Sequence, residues 1–161
     1  MHLPATLTQG VAWWAAAYGD HRILSVSIRF LHIAGLVVGG GTAVVTDRAI
    51  LRGARGTPDQ RALAMLTMGR SHRTVVPALV LVVATGLLLS AADTATFFAS
   101  PIYWTKLALV ALLLVNGAGL VLAERVATQS NAWRRLAFGS AASLVLWFVL
   151  LFVGTLLTAS A

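Results

Sequence analysis

The sequence predicts an all-α polytopic membrane protein: a bundle of four transmembrane helices preceded by a short N-terminal interfacial helix. Three observations predict it. The chain of 161 residues is 58% hydrophobic and only 11% charged, against about 25% charged in soluble domains. Its apolar residues gather into four runs, 23–45, 75–92, 102–123 and 136–158. Each is close to the roughly 20 residues that a helix needs to cross about 30 Å of hydrocarbon. The runs are continuous, whereas a spanning β-barrel shows alternating segments of about ten residues. Residues 1–161 read as a single domain with spans at about 23–46, 70–92, 101–124 and 134–158.

The first element is residues 7–18, apolar but too short to span, with Trp13, Trp14 and Tyr18. Aromatic rings with a polar edge favour the headgroup level, which predicts an interfacial helix. The N-terminus lacks the basic region of a signal peptide, so span one is expected to stay in the membrane. Gly19, Asp20, His21 and Arg22 mark its boundary. Span one carries Gly35 and Gly39 four apart, then Gly40 and Gly41. Such spacing serves either close helix contact or the flat face of a macrocycle. Asp47 and Arg48 end the span and read as a local ion pair.

Thr57, Pro58 and Gln60 are spaced as a helix start: a capping hydroxyl, a first-turn proline and a capping-box partner. That helix is expected to run past Arg70 into span two and to bend at Pro77. Ser100-Pro101 opens span three by the same logic. Tyr103 and Trp104 mark its interface, and Glu124-Arg125 end it as a second local pair. Asn116, near its middle, reads as a polar bridge between helices or as a quinone contact. Span four, opened by Trp133, has no charged side chain from Leu136 onward and reads as scaffold, with a face free for a homodimer.

The net charge of +7 does not point to nucleic acid, because of where it lies. Arg48, Arg52, Arg55, Arg61, Arg70 and Arg73 cluster around the first link, and Arg125, Arg134 and Arg135 around the third. The second link has only Asp93. Positive links face the cytoplasm, which predicts both termini outside. Anionic lipid headgroups are then partners enough for the arginines. There is no cysteine, which excludes disulfides and thiolate metal sites. Nor does the sequence hold a local nucleophile motif, phosphate loop or zinc-binding helix motif.

The candidate site residues are ionisable groups within spans, which are costly in hydrocarbon and point to a partner or cofactor. By helical rise Arg29 lies about 9 Å and His32 about 14 Å from the start of span one, and Lys106 about 8 Å into span three. These depths allow the three to meet, with Asp93 near enough to offset part of their charge. A neutral imidazole is a common axial ligand of haem iron, and arginine or lysine pairs with propionates. The alternative is that Arg29 and Lys106 reach the headgroups while His32 bonds across the bundle. His72, at the other end of span two, is the second candidate ligand. Met65 and Met68 share its helical face, a pattern that suits haem, Cu(I) or plain packing. The two histidines differ in depth by roughly 15–20 Å, too far to hold one iron. Two haems, or a further ligand such as Lys106, His2, His21 or His32 of a second copy, would resolve this.

Three stretches carry a resemblance. They are Leu31-His32-Ile33-Ala34-Gly35 with Gly39, Thr46-Asp47-Arg48 followed by Leu51-Arg52, and Tyr103-Trp104 with Lys106-Leu107-Ala108-Leu109, followed by Asn116. Over about residues 25–125 the chain resembles small bacterial four-helix membrane proteins of the copper-resistance D and HemJ-like groups. The resemblance implies haem-dependent oxidoreduction in a bacterial inner membrane, with His32 and Lys106 in the implicated positions. The leading expectation is a membrane protein that binds haem b, as one group or two, for electron transport with a quinone or redox-protein partner. The metal-binding residues would be His32 and His72, with Arg29 and Lys106 completing the cofactor site. The alternatives are a copper or small-solute membrane protein and a non-catalytic scaffold subunit.

Overall fold

The computed structural model describes residues 5–125 and 132–160, and every element in them is a helix. In chain order these are α1 (Ala5–Asp20), α2 (Arg22–Ala54), α3 (Pro58–Ala92), α4 (Thr94–Ala99), α5 (Pro101–Arg125) and α6 (Ala132–Ser160). The long helices α2, α3, α5 and α6 are each long and apolar enough to cross a membrane. The protein is thus an all-α polytopic membrane protein with a short N-terminal helix. Phe30, Val37, Phe138 and Phe152 stand exposed on its flanks, as lipid-facing side chains do. Four crossings return the chain to its starting side. That side is called here the terminal side, and the opposite one the arginine-rich side.

Helices α2 and α3, of 33 and 35 residues, outrun the expected spans 23–46 and 70–92. Helical hydrogen bonding does not stop at the edge of the hydrocarbon, so the spans continue as helix into the polar link. What stops them is local chemistry. The Thr57 hydroxyl accepts from the Gln60 N–H, and the Gln60 side chain accepts from the Thr57 N–H. This is the expected capping box. Arg61 then reaches back, donating to the carbonyls of Gly53 and Ala54 at 3.3 and 3.4 Å. It thereby satisfies the free carbonyl end of α2. Helix α3 continues through Pro77.

Helix α4 was not expected. The Asp93 carboxylate accepts from the Thr96 N–H and caps it, and among the described residues it makes no ion pair. Ser100 closes α4, its N–H donating to Phe97 O, and α5 begins at Pro101. Phe97, Phe98, Tyr103 and Trp104 cluster in tilted and edge-on contacts with centroids 5.5–5.8 Å apart.

The spans pack in the order α3, α2, α6, α5. Helix α2 meets α3 through its glycines. A Cβ on Gly35 would lie 2.8 Å from Val82 Cγ2, and one on Gly39 would lie 2.9 Å from Ala78 Cβ. The pair therefore serves helix contact, the first of the two readings of that spacing. On its other flank, a Cβ on Gly40 would lie 3.1 Å from the Trp147 ring of α6. Asn116 Nδ2 donates to Gly139 O at 3.0 Å, bridging α5 and α6 as expected. Helices α3 and α5 do not pack closely together. A cleft stands between them.

Candidate functional site

Span one presents His32 to α3. Its Nδ1 lies 2.9 Å from Thr85 Oγ1, and Thr85 Oγ1 lies 2.6 Å from the carbonyl of Leu81. A hydroxyl has one proton and two lone pairs. If that proton goes to Leu81 O, Thr85 accepts from His32 Nδ1–H. The His32 Nε2 then carries the lone pair, and the ring also lies within hydrogen-bonding reach of the Val82 backbone. Gly86 lies under the ring: a Cβ there would sit 3.4 Å from His32 Cε1.

Lys106 approaches from α5. It is half-buried and close enough to His32 for two positive charges to repel. It lies over Gly154 of α6, where an added Cβ would be 3.7 Å from Nζ. Among the described residues Lys106 has no ion-pair partner. The bundle thus places His32 and Lys106, two of the three groups whose depths allowed them to meet, within electrostatic reach of each other. Arg29 is set apart from them. It is exposed, its Nε donates to the Tyr18 hydroxyl at 2.9 Å, and its guanidinium carbon sits 5.9 Å from that ring centroid. Trp14 Nε1 donates to Leu88 O at 2.9 Å, so α1 is moored to the ends of both α2 and α3.

His72 belongs to a different place. It lies 13 residues before Thr85 on α3, or about 20 Å along the helix. Its Nδ1 is 3.4 Å from Glu124 Oε2 of α5. This contact replaces the local Glu124-Arg125 pair. Adjacent helical residues point about 100° apart and do not face each other, so Glu124 turns inward and Arg125 stays exposed. The same geometry undoes the Asp47-Arg48 pair. Arg48 is exposed, while Asp47 is buried at 4% exposure against α6. Met65 and Met68 pack against the apolar cluster of Ile50, Ala64, Ala123 and Leu136, which is the packing reading of those methionines.

His72 and Asp47 line a cavity of about 620 Å³ between α3 and α5. Its walls are apolar: Val76, Val80 and Val83 on one side, Leu114, Gly117 and Val121 on the other. Its floor is made by Thr46 and Asp47 of α2 and by Ser140, Ser143 and Trp147 of α6. The Ser143 and Ser140 hydroxyls stand beside the Asp47 carboxyl as hydrogen-bond donors, although Asp47 Oδ2 and Ser140 Oγ fall outside close hydrogen-bond geometry. Sequence reading missed this feature, although Asp47 shares a helical face with Ala43 and Ile50. A wider hollow of about 850 Å³ runs between α5 and α6 beside Arg125, Arg134 and Arg135, where anionic headgroups would meet three cations.

His21 is exposed at the α1–α2 junction, and His2 lies outside the described residues. Among the described residues no three histidine, aspartate or glutamate side chains converge as a metal cluster. What the fold defines is a four-span α-helical membrane protein with a histidine–lysine pair near its terminal side and an acid-floored cleft near the other. No protein family, curated protein or solved structure matches the chain.

Proposed function

We propose that the protein is a haem-b-binding membrane protein for electron transfer or a linked oxidoreduction, with His32 as an axial ligand. The observation that carries this reading is the 2.9 Å contact between His32 Nδ1 and Thr85 Oγ1, whose own proton has the Leu81 carbonyl 2.6 Å away as acceptor. Ligating histidines are held in this way: the partner of one ring nitrogen fixes the tautomer and aims the other. One or two axial ligands suffice for haem, so the reading does not require a convergent cluster. The bound group would supply one-electron redox chemistry.

The chain's own residues do the rest. Thr85 orients His32, and Gly86 keeps its ring unobstructed. Lys106 serves either as second ligand or as the charge partner of a propionate. Tyr18 accepts from Nε of Arg29 and lies under its guanidinium, and the terminal N–H groups would be the ones to meet a propionate at the terminal side. His72 is too far from His32 to share its iron. It belongs to a second haem or to a different molecule in the cleft, and a haem count per chain separates the two.

The test is the absorption spectrum of the detergent-purified protein. A Soret band with sharp reduced α and β bands is expected, lost in His32→Ala. A full haem spectrum in His32→Ala would rule out this ligand.

A further inference from the structure

Three cations stand together with no acid to balance them. Arg125 of α5 and Arg134 and Arg135 of α6 line the hollow of about 850 Å³ between those helices, and all three are exposed. Residues 125–161 contain no aspartate or glutamate. The last acid before them, Glu124, is turned to His72 of α3. Among the described residues none of the three arginines makes an ion pair. The mouth of the hollow is thus positive, and the neighbouring chain cannot neutralise it.

Beyond the arginines the hollow is apolar, with Gly119, Leu122 and Ala123 on α5 and Phe138 on α6. It reaches Asn116 and Gly139, where the Asn116 amide donates to the Gly139 carbonyl and joins the two helices. Arg125 lies nine residues from Asn116, about 14 Å along α5. Arg134 and Arg135 lie five and four residues from Gly139, only about 6–8 Å along α6. The cations therefore stand at two levels above the same apolar floor. An occupant that matches carries hydrocarbon chains and a head with negative charge at two separated points. Guanidinium groups pair with phosphate oxygens through strong charge-assisted hydrogen bonds. One phosphodiester offers one charge at one level, whereas two phosphodiesters linked through glycerol offer both.

We infer that the α5–α6 hollow binds a phospholipid with two phosphates joined by a glycerol, drawn from the leaflet on the arginine-rich side. One phosphate meets Arg125 and the other the Arg134–Arg135 pair, while acyl chains cover Gly119, Leu122 and Phe138. A basic pocket between membrane helices is a setting that suits such a head. The inference stands independently of the haem reading.

The experiment is native mass spectrometry of the full-length protein in detergent, titrated with tetraoleoyl diphosphatidylglycerol. Saturable retention of a single lipid per chain is expected. The double variant Arg134→Gln with Arg135→Gln should weaken it about tenfold or more through loss of two charge-assisted contacts. Arg48→Gln with Arg52→Gln removes the same charge from exposed residues on the same side that do not line the hollow, and should leave retention unchanged. Gly119→Leu keeps every charge. A Cβ at Gly119 meets nothing within 4 Å, so the longer side chain fills the hollow and should also weaken retention. Should the arginine variant not fold, Gly119→Leu carries the test. Phosphatidylglycerol, with one phosphate, should displace the lipid only in large excess, and inorganic pyrophosphate at equal concentration should leave it in place. Equal weakening by the two arginine pairs would mean unlocalised surface charge and overturn the proposal. So would full retention in Gly119→Leu, equal affinity for phosphatidylglycerol, displacement by pyrophosphate, or a protein dimer that retains no such lipid. Lipid retention and the haem spectrum are separate readouts, so each proposal can fail while the other holds.

Discussion

At the scale of single residues, the chemistry turns on which neighbour each ionisable group faces. His32 and Lys106 were legible as candidates, because a charge inside an apolar run is conspicuous. Thr85 was not, because a threonine in a helix usually bonds its own backbone, and only the packed structure shows His32 beside it. Thr85→Val keeps the shape and removes the oxygen. Changes to such supporting partners typically cost about 10–100-fold in affinity. Haem affinity should fall by about that much in Thr85→Val, measured by titrating the apoprotein, while α-helical content by circular dichroism stays unchanged. Asp47 is the instructive miss. Reading it with its neighbour Arg48 ignored the angle between adjacent helical side chains. Reading it with Ala43 and Ile50, one turn away on either side, would have put it inside.

At the scale of elements, the sequence is most explicit where it stops and starts helices. The Thr57, Pro58 and Gln60 spacing gave the start of α3 correctly, since capping is decided by residues three apart. Thr57→Ala should destabilise the protein by about 1 kcal/mol, read as a lower midpoint of thermal unfolding in detergent. Helix ends were less legible. The apolar runs of α2 and α3 end where the hydrocarbon ends, whereas the helices end at their caps. Helix α4 was missed because six residues hold no period, although Asp93 three residues before Thr96 is a capping signal. The Gly35 and Gly39 spacing could not say what it faced. The structure puts Val82 and Ala78 there, so Gly39→Val overfills the α2–α3 contact. It should cost about 1–3 kcal/mol, again visible in the unfolding midpoint, whereas Gly41→Val should cost far less. A Cβ at Gly41 meets no atom within 4 Å.

At the scale of the whole molecule, the sequence predicts four spans but not which spans touch. The separation of α3 from α5, and with it the acid-floored cleft, arises only from the packing order. Orientation is a proposal that composition supports: the arginine-rich side faces the cytoplasm. The chain has no cysteine, which makes this simple to check with single cysteines at exposed positions. An impermeant maleimide applied to intact cells should label Asp20→Cys and spare Asp59→Cys; the reverse pattern would invert the topology. The central claim is that the Thr85-oriented histidine holds a haem iron. The measurement that bears on it most directly is the reduced-minus-oxidised spectrum of the purified protein beside those of His32→Ala and His72→Ala. The account predicts sharp α and β bands that vanish in His32→Ala and survive in His72→Ala. Bands unaffected by His32→Ala, or an unaltered protein that takes up no haem when haem is supplied, would contradict it.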